Sequence, residues 1–117
     1  MSRKTTLVIF ACVITLLLTA CERQKIGDIN ADPSRFQGKE VAVAGEVTGF
    51  SVGALNMGLY QIDDGTGKLY VLSESRGAPT KGAHVGVKGT VMPTFTFLGK
   101  SYATVLRETG RKGIKAD

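Results

Sequence analysis

The chain has 117 residues, of which 43% are hydrophobic, and a formal net charge of +5. This length fits one small domain with a single modest core and excludes a large doubly wound sheet. A moderate positive charge is ordinary for solubility and does not by itself indicate a nucleic-acid partner.

Residues 1–20 have the pattern of a secretory signal peptide. Arg3 and Lys4 precede an apolar run of 12 residues, Leu7 to Leu18, and small residues follow it. This run lies within the signal-peptide range of about 7–15 residues and is shorter than the ~18 residues expected of a spanning helix. A membrane anchor helix is therefore the disfavoured alternative.

The residues at the expected cleavage site carry a more specific pattern. "LTAC", Leu18 to Cys21, resembles the lipobox of bacterial lipoproteins. The resemblance implies that Cys21 receives a diacylglycerol on its sulfur and becomes the first residue of the mature chain, since stable anchoring needs more than one acyl chain. It also implies an extracytoplasmic, lipid-anchored protein of the cell envelope. Glu22 after the cysteine favours the periplasmic face of the outer membrane where the envelope has two membranes.

Removal of 20 of the 117 residues leaves a mature chain of 97 residues with 13 basic and 10 acidic side chains, a net charge of +3. Cys12 lies in the removed segment and Cys21 is lipidated. The mature chain is therefore expected to have no free thiol and no disulfide.

Residues 21–39 are expected to form a polar tether followed by a short helical turn. In "NADPSRFQGK", Asp32 suits a helix N-cap, Pro33 suits the first helical position, and Gly38 suits a left-handed C-terminal position. Two apolar residues of this segment are expected to contact the core, Ile29 and Phe36.

Residues 40–107 are predicted to be all-β, and residues 108–117 a basic flexible tail. A membrane-facing or polyanion-binding arm is the alternative for this tail. Val41, Val43 and Val47 alternate with small and polar residues at a period of two, which indicates a strand with one buried face. Four further stretches have the same character. The five predicted strands are "KEVAVAGEVTGF", "GLYQIDD", "KLYVLSE", "AHVGVKGTVMP" and "KSYATVLRE".

These strands resemble the OB-fold, a small five-stranded Greek-key barrel. The residues that carry the resemblance are "VAVAGEV", "YQIDDGTGKLYVL", "KGAHVGVKGTV" and "YATVLRE". Many OB-folds have a helix between the third and fourth strands, but "SESRGAPTKG" is too short and too rich in Pro and Gly for one. The likeness is therefore to the compact OB-like domains of small envelope proteins.

The stretch "DDGTGK" between the second and third strands contains acids, glycines and a lysine, and three interpretations compete for it. A P-loop needs Ser or Thr where this chain has Leu69, and a calcium loop needs alternating acids where Asp63 and Asp64 are adjacent. A hairpin turn fits, with Gly65 and Gly67 in left-handed conformations.

No catalytic residues, metal site or cofactor are predicted. "GFSVG" around Ser51 matches a nucleophile elbow and His84 follows it, but the elbow needs a helix after the strand and the sequence returns to a strand. His84 is the only histidine, too few ligands for a metal site, so a half-exposed strand histidine is expected.

Strand alternation assigns the two faces of the barrel. Tyr60, Ile62, Leu69 and Val71 are expected to point inward, with Gln61, Lys68, Tyr70 and Leu72 outward. OB-folds bind on this outer face, and Tyr70 is the best candidate for stacking a ring. The predicted ligand-binding residues are Tyr70, Gln61, Lys68, Phe50, Phe95, Phe97 and Lys100; the three phenylalanines lie in the framing loops and Lys100 lies near them.

The sequence therefore predicts a membrane-anchored, non-catalytic binding or assembly module for an envelope protein or glycan. The alternative is an oligonucleotide-binding OB-fold, which an extracytoplasmic compartment and the lack of a concentrated basic stripe disfavour. The oligomeric state is not indicated.

Overall fold

A computed structural model describes residues 23–52, 56–97 and 99–114, with the side chains of 50–52 and 97 outside the description. The signal peptide and Cys21 lie outside the described residues. No helix within the described ranges has the length and apolar character needed to cross a membrane. The elements are α1 (Ile26–Ala31), α2 (Pro33–Phe36), β1 (Glu40–Val52), β2 (Gly58–Asp63), β3 (Lys68–Ser73), β4 (His84–Phe97) and β5 (Lys100–Gly113).

The five strands form a closed barrel in the order β1-β2-β3-β5-β4. β3 and β5 run parallel, and the other neighbouring strands are antiparallel. Closure removes the free sheet edges that would otherwise pair with other chains. This small Greek-key barrel confirms the predicted fold class.

The core fills the inside of the barrel with side chains of alternate residues. Tyr60 and Ile62 of β2 are fully buried, as is Val71 of β3, so the inward assignment from alternation is confirmed. Gly89 lets β4 approach β5 at a register shift, because a Cβ there would lie 2.4 Å from the Arg107 carbonyl oxygen. The other buried core members on the strands are Val41, Val43, Val47, Leu69, Val85, Val87, Val91 and Leu106.

The segment before β1 is more ordered than a tether with one helical turn. Ile26 and Ile29 of α1 are fully buried against the barrel core. Arg23 forms a parallel bridge with Ala42, and the Gln24 amide donates to the Ala42 carbonyl at 2.7 Å. The predicted tether is therefore wrong from residue 23 onward, because the apolar face of α1 closes one end of the barrel.

The loop between β2 and β3 is a turn, as predicted, and it also holds α1 in place. The Asp64 carboxylate accepts hydrogen bonds from the Thr66 amide at 2.8 Å, the Thr66 hydroxyl at 2.6 Å and the Gly67 amide at 3.2 Å. It also accepts the Ile26 amide at 2.9 Å, at the start of α1. Partial burial raises the pKa of Asp64, but these hydrogen bonds outweigh it and lower the pKa below its ordinary value.

The two glycines of this turn have different reasons for being there. Gly65 has a φ of +87°, which confirms the predicted left-handed position. Gly67 does not adopt a positive φ, so that prediction is wrong. A Cβ at Gly67 would lie 3.3 Å from the Gly27 Cα and 3.2 Å from the Asn30 amide nitrogen. Gly67 therefore provides room for α1.

The second helix departs in detail from the expected capping. Pro33 does begin α2, and Gly38 has a φ of +75°, as predicted. The Asp32 side chain makes no capping hydrogen bond to the helix; its carboxylate accepts the Ser34 hydroxyl instead. The contact of Phe36 with the core is confirmed.

β5 extends well into the region predicted to be a flexible tail. Residues 108–113 pair with β4, so the predicted barrel boundary at 107 is wrong. Inward-facing charges hold this part of the strand: Glu108 accepts the Tyr60 hydroxyl at 2.5 Å and Arg111 at 3.3 Å. Burial first, and then the Glu108 carboxylate, raise the pKa of Tyr60 well above its ordinary value. Residues 108–113 include several charged side chains, which made this segment look solvent-exposed, so its pairing with β4 was not predicted.

Candidate binding face

A second apolar cluster lies on the outside of the barrel. It comprises Leu59, Leu72 and Val105, hereafter the outer cluster, and all three are buried although their neighbours along the chain face the core. The register pairs Leu59 with Leu72, and Tyr70 with Val105, which places them on the same side of the sheet. Five partly buried side chains cover the outer cluster: Met57, Tyr70, Met92, Phe95 and Tyr102.

The end of the β4–β5 hairpin supplies most of this cover, and its backbone shows why. Thr104 has a φ of +55°, which is rare for a β-branched residue. In register it lies opposite Pro93, which has no amide to donate. We infer that the hairpin bends here, so that Phe95 and Tyr102, beyond this point, pack on the outer cluster.

The aromatic rings contact one another. The Tyr70 and Tyr102 ring centroids are 4.7 Å apart at an interplanar angle of 62°, an edge-to-face arrangement. The Lys100 ammonium lies 5.3 Å from the Tyr102 ring centroid, within cation–π range. The rings and the covering methionines, together with the outer cluster, are hereafter the binding face.

Polar side chains border the binding face. Gln61 is beside Tyr70 in register, and its amide oxygen accepts the Thr48 hydroxyl at 3.0 Å. Arg107 lies 3.8 Å from the Glu74 carboxylate, and both side chains are largely exposed. An apolar centre with a polar, partly charged rim is the usual anatomy of a protein interface.

The structure brings together several of the residues predicted for the site. Tyr70 and Phe95 lie on the binding face, and Lys100 is next to it. Lys68 is exposed at the start of β3. The side chains of the predicted Phe50 and Phe97 lie outside the described part of the structure.

Leu72 shows where alternation alone was insufficient. It does lie on the side of Tyr70, as predicted, but only 3% of its surface is exposed. The hairpin covers it, so this outward-facing residue is buried.

Three residues of the binding face were not predicted from the sequence: Tyr102, Met57 and Met92. Strict alternation from the buried Leu106 places Tyr102 on the inner side, and the left-handed Thr104 between them breaks that alternation. The one sequence signal was Pro93 inside a strand, which often marks an irregularity.

The hydrolase-like motif has no matching geometry. β1 continues through Ser51 to Val52, so Ser51 lies within a strand and not on a sharp strand-to-helix turn. His84 is paired in register with Glu46. Across the described ranges, no group of three or more His, Cys, Asp or Glu side chains is arranged to hold a metal ion.

Comparison with known proteins supports the fold. No protein-family model and no curated protein sequence matches this chain. Solved structures do match. Asparaginyl-tRNA synthetase from Pyrococcus horikoshii, complexed with asparaginyl-adenylate, is 19% identical with a TM-score of 0.63, over 82% of this chain and 23% of the synthetase. Aspartyl-tRNA synthetase from Entamoeba histolytica is 14% identical with a TM-score of 0.61, over 81% and 21% respectively.

A third solved structure matches over most of its own length. The OBody bound to hen egg-white lysozyme is 17% identical with a TM-score of 0.53, over 71% of this chain and 88% of the OBody. The fold is an OB-fold. This chain spans less than a quarter of either synthetase, and identities this low show the fold alone.

Proposed function

We propose that this chain is a lipid-anchored envelope protein whose OB-fold domain binds a protein or glycan partner without catalysing a reaction. The observation that carries the binding proposal is the binding face, where tyrosines, phenylalanine and methionines are gathered over the outer cluster. Aromatic residues and methionine are enriched in the centres of protein interfaces. The anchor rests on the lipobox-like "LTAC" that ends at Cys21.

A protein partner suits this face better than single-stranded nucleic acid. Base stacking needs an aromatic ring with a free face. Here the Tyr70 and Tyr102 rings pack edge to face, and Lys100 lies over Tyr102. The OB-fold of the OBody, which is bound to lysozyme, illustrates that the architecture supports protein binding.

Oligonucleotide binding is the second candidate. The likeness to two tRNA synthetases favours it, as do the exposed Lys68 and Lys100 near the rings. Its salt dependence is distinctive. For a single strand, each neutralised phosphate makes the slope of the logarithm of affinity against the logarithm of salt concentration more negative by about 0.7.

The test is capture of partners from detergent-solubilised envelope by the purified lipidated protein. Wild type is compared with Tyr102→Ala and with Arg35→Ala, a control on α2 at an exposed position. We expect the control to retain one set of partners, and we expect Tyr102→Ala to bind the same partners at least about tenfold more weakly. Equal capture by all three proteins would contradict the assigned face. Tight binding of a single-stranded oligonucleotide with a steep salt slope would favour the second candidate.

A further inference from the structure

A shallow groove of about 320 Å³ lies on the outside of the barrel, across β1, β4 and β5. Its floor is made of small residues, Ala42, Gly86 and Gly110. The register pairs Ala42 with Lys88, Lys88 with Gly110 and Gly86 with Lys112, which places these residues on the same side of the sheet. The floor is therefore low, with longer side chains at its edges.

Three exposed cations border this floor: Arg23, Lys88 and Lys112. The Lys112 Cγ and Cε atoms lie 3.8 and 3.9 Å from the position that a Cβ of Gly86 would take, so the lysine stem follows the floor. None of the three cations forms an ion pair within the described ranges, and no acidic residue lines the groove. Arg111 also lines it but is paired with Glu108. The groove with its three free cations is hereafter the basic groove.

The basic groove adjoins the end of the chain that carries the expected lipid. Arg23 is bridged to Ala42 in the floor, and Cys21 is two residues before it. A chain extends by at most ~3.6 Å per residue, so the Cys21 Cα lies within ~7 Å of the Arg23 Cα. That distance is shorter than the Debye length of about 8 Å at physiological salt. A diacylglycerol on Cys21 would therefore hold Arg23 inside the field of the lipid headgroups, with Lys88 and Lys112 on the same side of the sheet as the Ala42 to which Arg23 is bridged.

We propose that the basic groove docks on the membrane surface and binds the phosphate groups of anionic lipids. The inference rests on the proposed anchoring at Cys21 and adds an orientation to it. The groove is centred on β4, which lies between β1 and β5 in the barrel, whereas β2 and β3 complete the ring opposite β4. Docking through the basic groove therefore turns the Tyr70 side of the barrel away from the membrane, where a partner has access.

The charges determine the size of the expected effect. A lysine or arginine near an anionic membrane surface strengthens binding about fivefold. Replacing Lys88 and Lys112 together with glutamine should weaken partitioning to anionic vesicles about 25-fold. Arginine at both positions should preserve binding, because the charge is kept.

The first experiment leaves the anchor out. The mature chain with Cys21→Ser is mixed with phosphatidylglycerol vesicles and, separately, with phosphatidylcholine vesicles, and bound protein is measured by sedimentation. This chain contains the whole described barrel with both apolar clusters. We expect binding to phosphatidylglycerol only, about 25-fold loss in Lys88→Gln/Lys112→Gln, and unchanged binding in the control Lys68→Gln/Lys100→Gln, whose lysines do not line the groove.

The second experiment tests the orientation. Cys21 is the only thiol of the mature chain and can be coupled to a maleimide lipid in nanodiscs that contain a gadolinium-labelled headgroup. Broadening of amide signals should centre on residues 86–88 and 110–112 and spare 70–72.

Each outcome decides the inference. Loss of vesicle binding in the Lys68/Lys100 control equal to that in the Lys88/Lys112 variant, or broadening centred on 70–72, would overturn it while the anchor stands. Competition by inorganic phosphate, but not by sulfate at equal ionic strength, would make the groove a free-phosphate site and would also overturn it. An unmodified Cys21 in the native protein would instead refute the proposed anchor, and the vesicle result would still report on the groove.

Discussion

Removal of a single hydroxyl, in Tyr60→Phe, should measurably destabilise the barrel. The Tyr60 side chain is fully buried, and its hydroxyl donates to Glu108, whose side chain is only 2% exposed. Hydrogen bonds to charged groups contribute about 1.5–3 kcal/mol. Arg111 still donates to Glu108 at 3.3 Å in the variant, so we expect a loss near the lower end, about 1.5–2 kcal/mol.

Two comparison variants sharpen this prediction. Glu108→Gln should cost more, about 3–5 kcal/mol, because Arg111 then loses its buried counter-ion and keeps only neutral acceptors, among them the carbonyl oxygens of Arg76 and Gly77. Tyr70→Phe, which removes the same hydroxyl from a partly buried ring, should change the free energy of unfolding by no more than about 0.5 kcal/mol. Urea denaturation measures the free energy of unfolding of all three variants, and we expect the same dependence on urea concentration (the m-value) in each. A Tyr60→Phe loss below about 0.5 kcal/mol, or a Glu108→Gln loss smaller than that of Tyr60→Phe, would refute the buried network.

Four further predictions concern other parts of the fold. The pKa of Asp64 is lowered in the folded state. The ionised carboxylate therefore contributes fully to stability at a pH above its ordinary pKa of 3.8, and this contribution is lost as the pH falls through the folded-state pKa. Asp64→Asn should flatten the acid limb of a stability–pH curve. The pKa of Tyr60 is raised in the folded state, so the free energy of unfolding should fall as the pH rises above 10.0, the ordinary pKa of tyrosine. This fall should be less steep in Tyr60→Phe. Gly89→Ala should cost about 1–3 kcal/mol in a thermal melt, whereas Gly110→Ala, with open space at its Cβ, should cost less than about 1 kcal/mol. Tyr60→Ala should destabilise by about 3–5 kcal/mol, and Tyr70→Ala by about 1 kcal/mol through loss of its contact with Tyr102; equal losses would contradict the assignment of the two faces.

The barrel could be predicted from the sequence because its signal is local. Alternation of apolar side chains identified all five strands and placed Tyr60 inside and Tyr70 outside. The left-handed Gly65 followed from turn chemistry in the same way. These features depend on residues that are close in sequence, and β2 and β3 pair without a register shift, so their alternation is intact.

The features that could not be predicted depend on contacts between residues that are far apart in the sequence. Asp64 bonds the amide of Ile26, 38 residues earlier, and Tyr60 bonds Glu108, 48 residues later. Each pair looks like ordinary turn or surface chemistry when its members are considered separately. Similarly, the place of Tyr102 on the binding face depends on the positive φ of Thr104, a conformation that threonine rarely adopts.

The mass of the mature N-terminus tests most directly the central claim that this OB-fold works at a membrane surface. The protein is purified from the membrane fraction of the cell in which it is made, digested, and its N-terminal peptide is measured by mass spectrometry. We predict that residues 1–20 are absent and that Cys21 carries a diacylglycerol, while Cys21→Ser moves the protein out of the membrane fraction. An N-terminal peptide that begins with an unmodified Cys21, or one that retains the apolar run from Leu7 to Leu18, would contradict the claim.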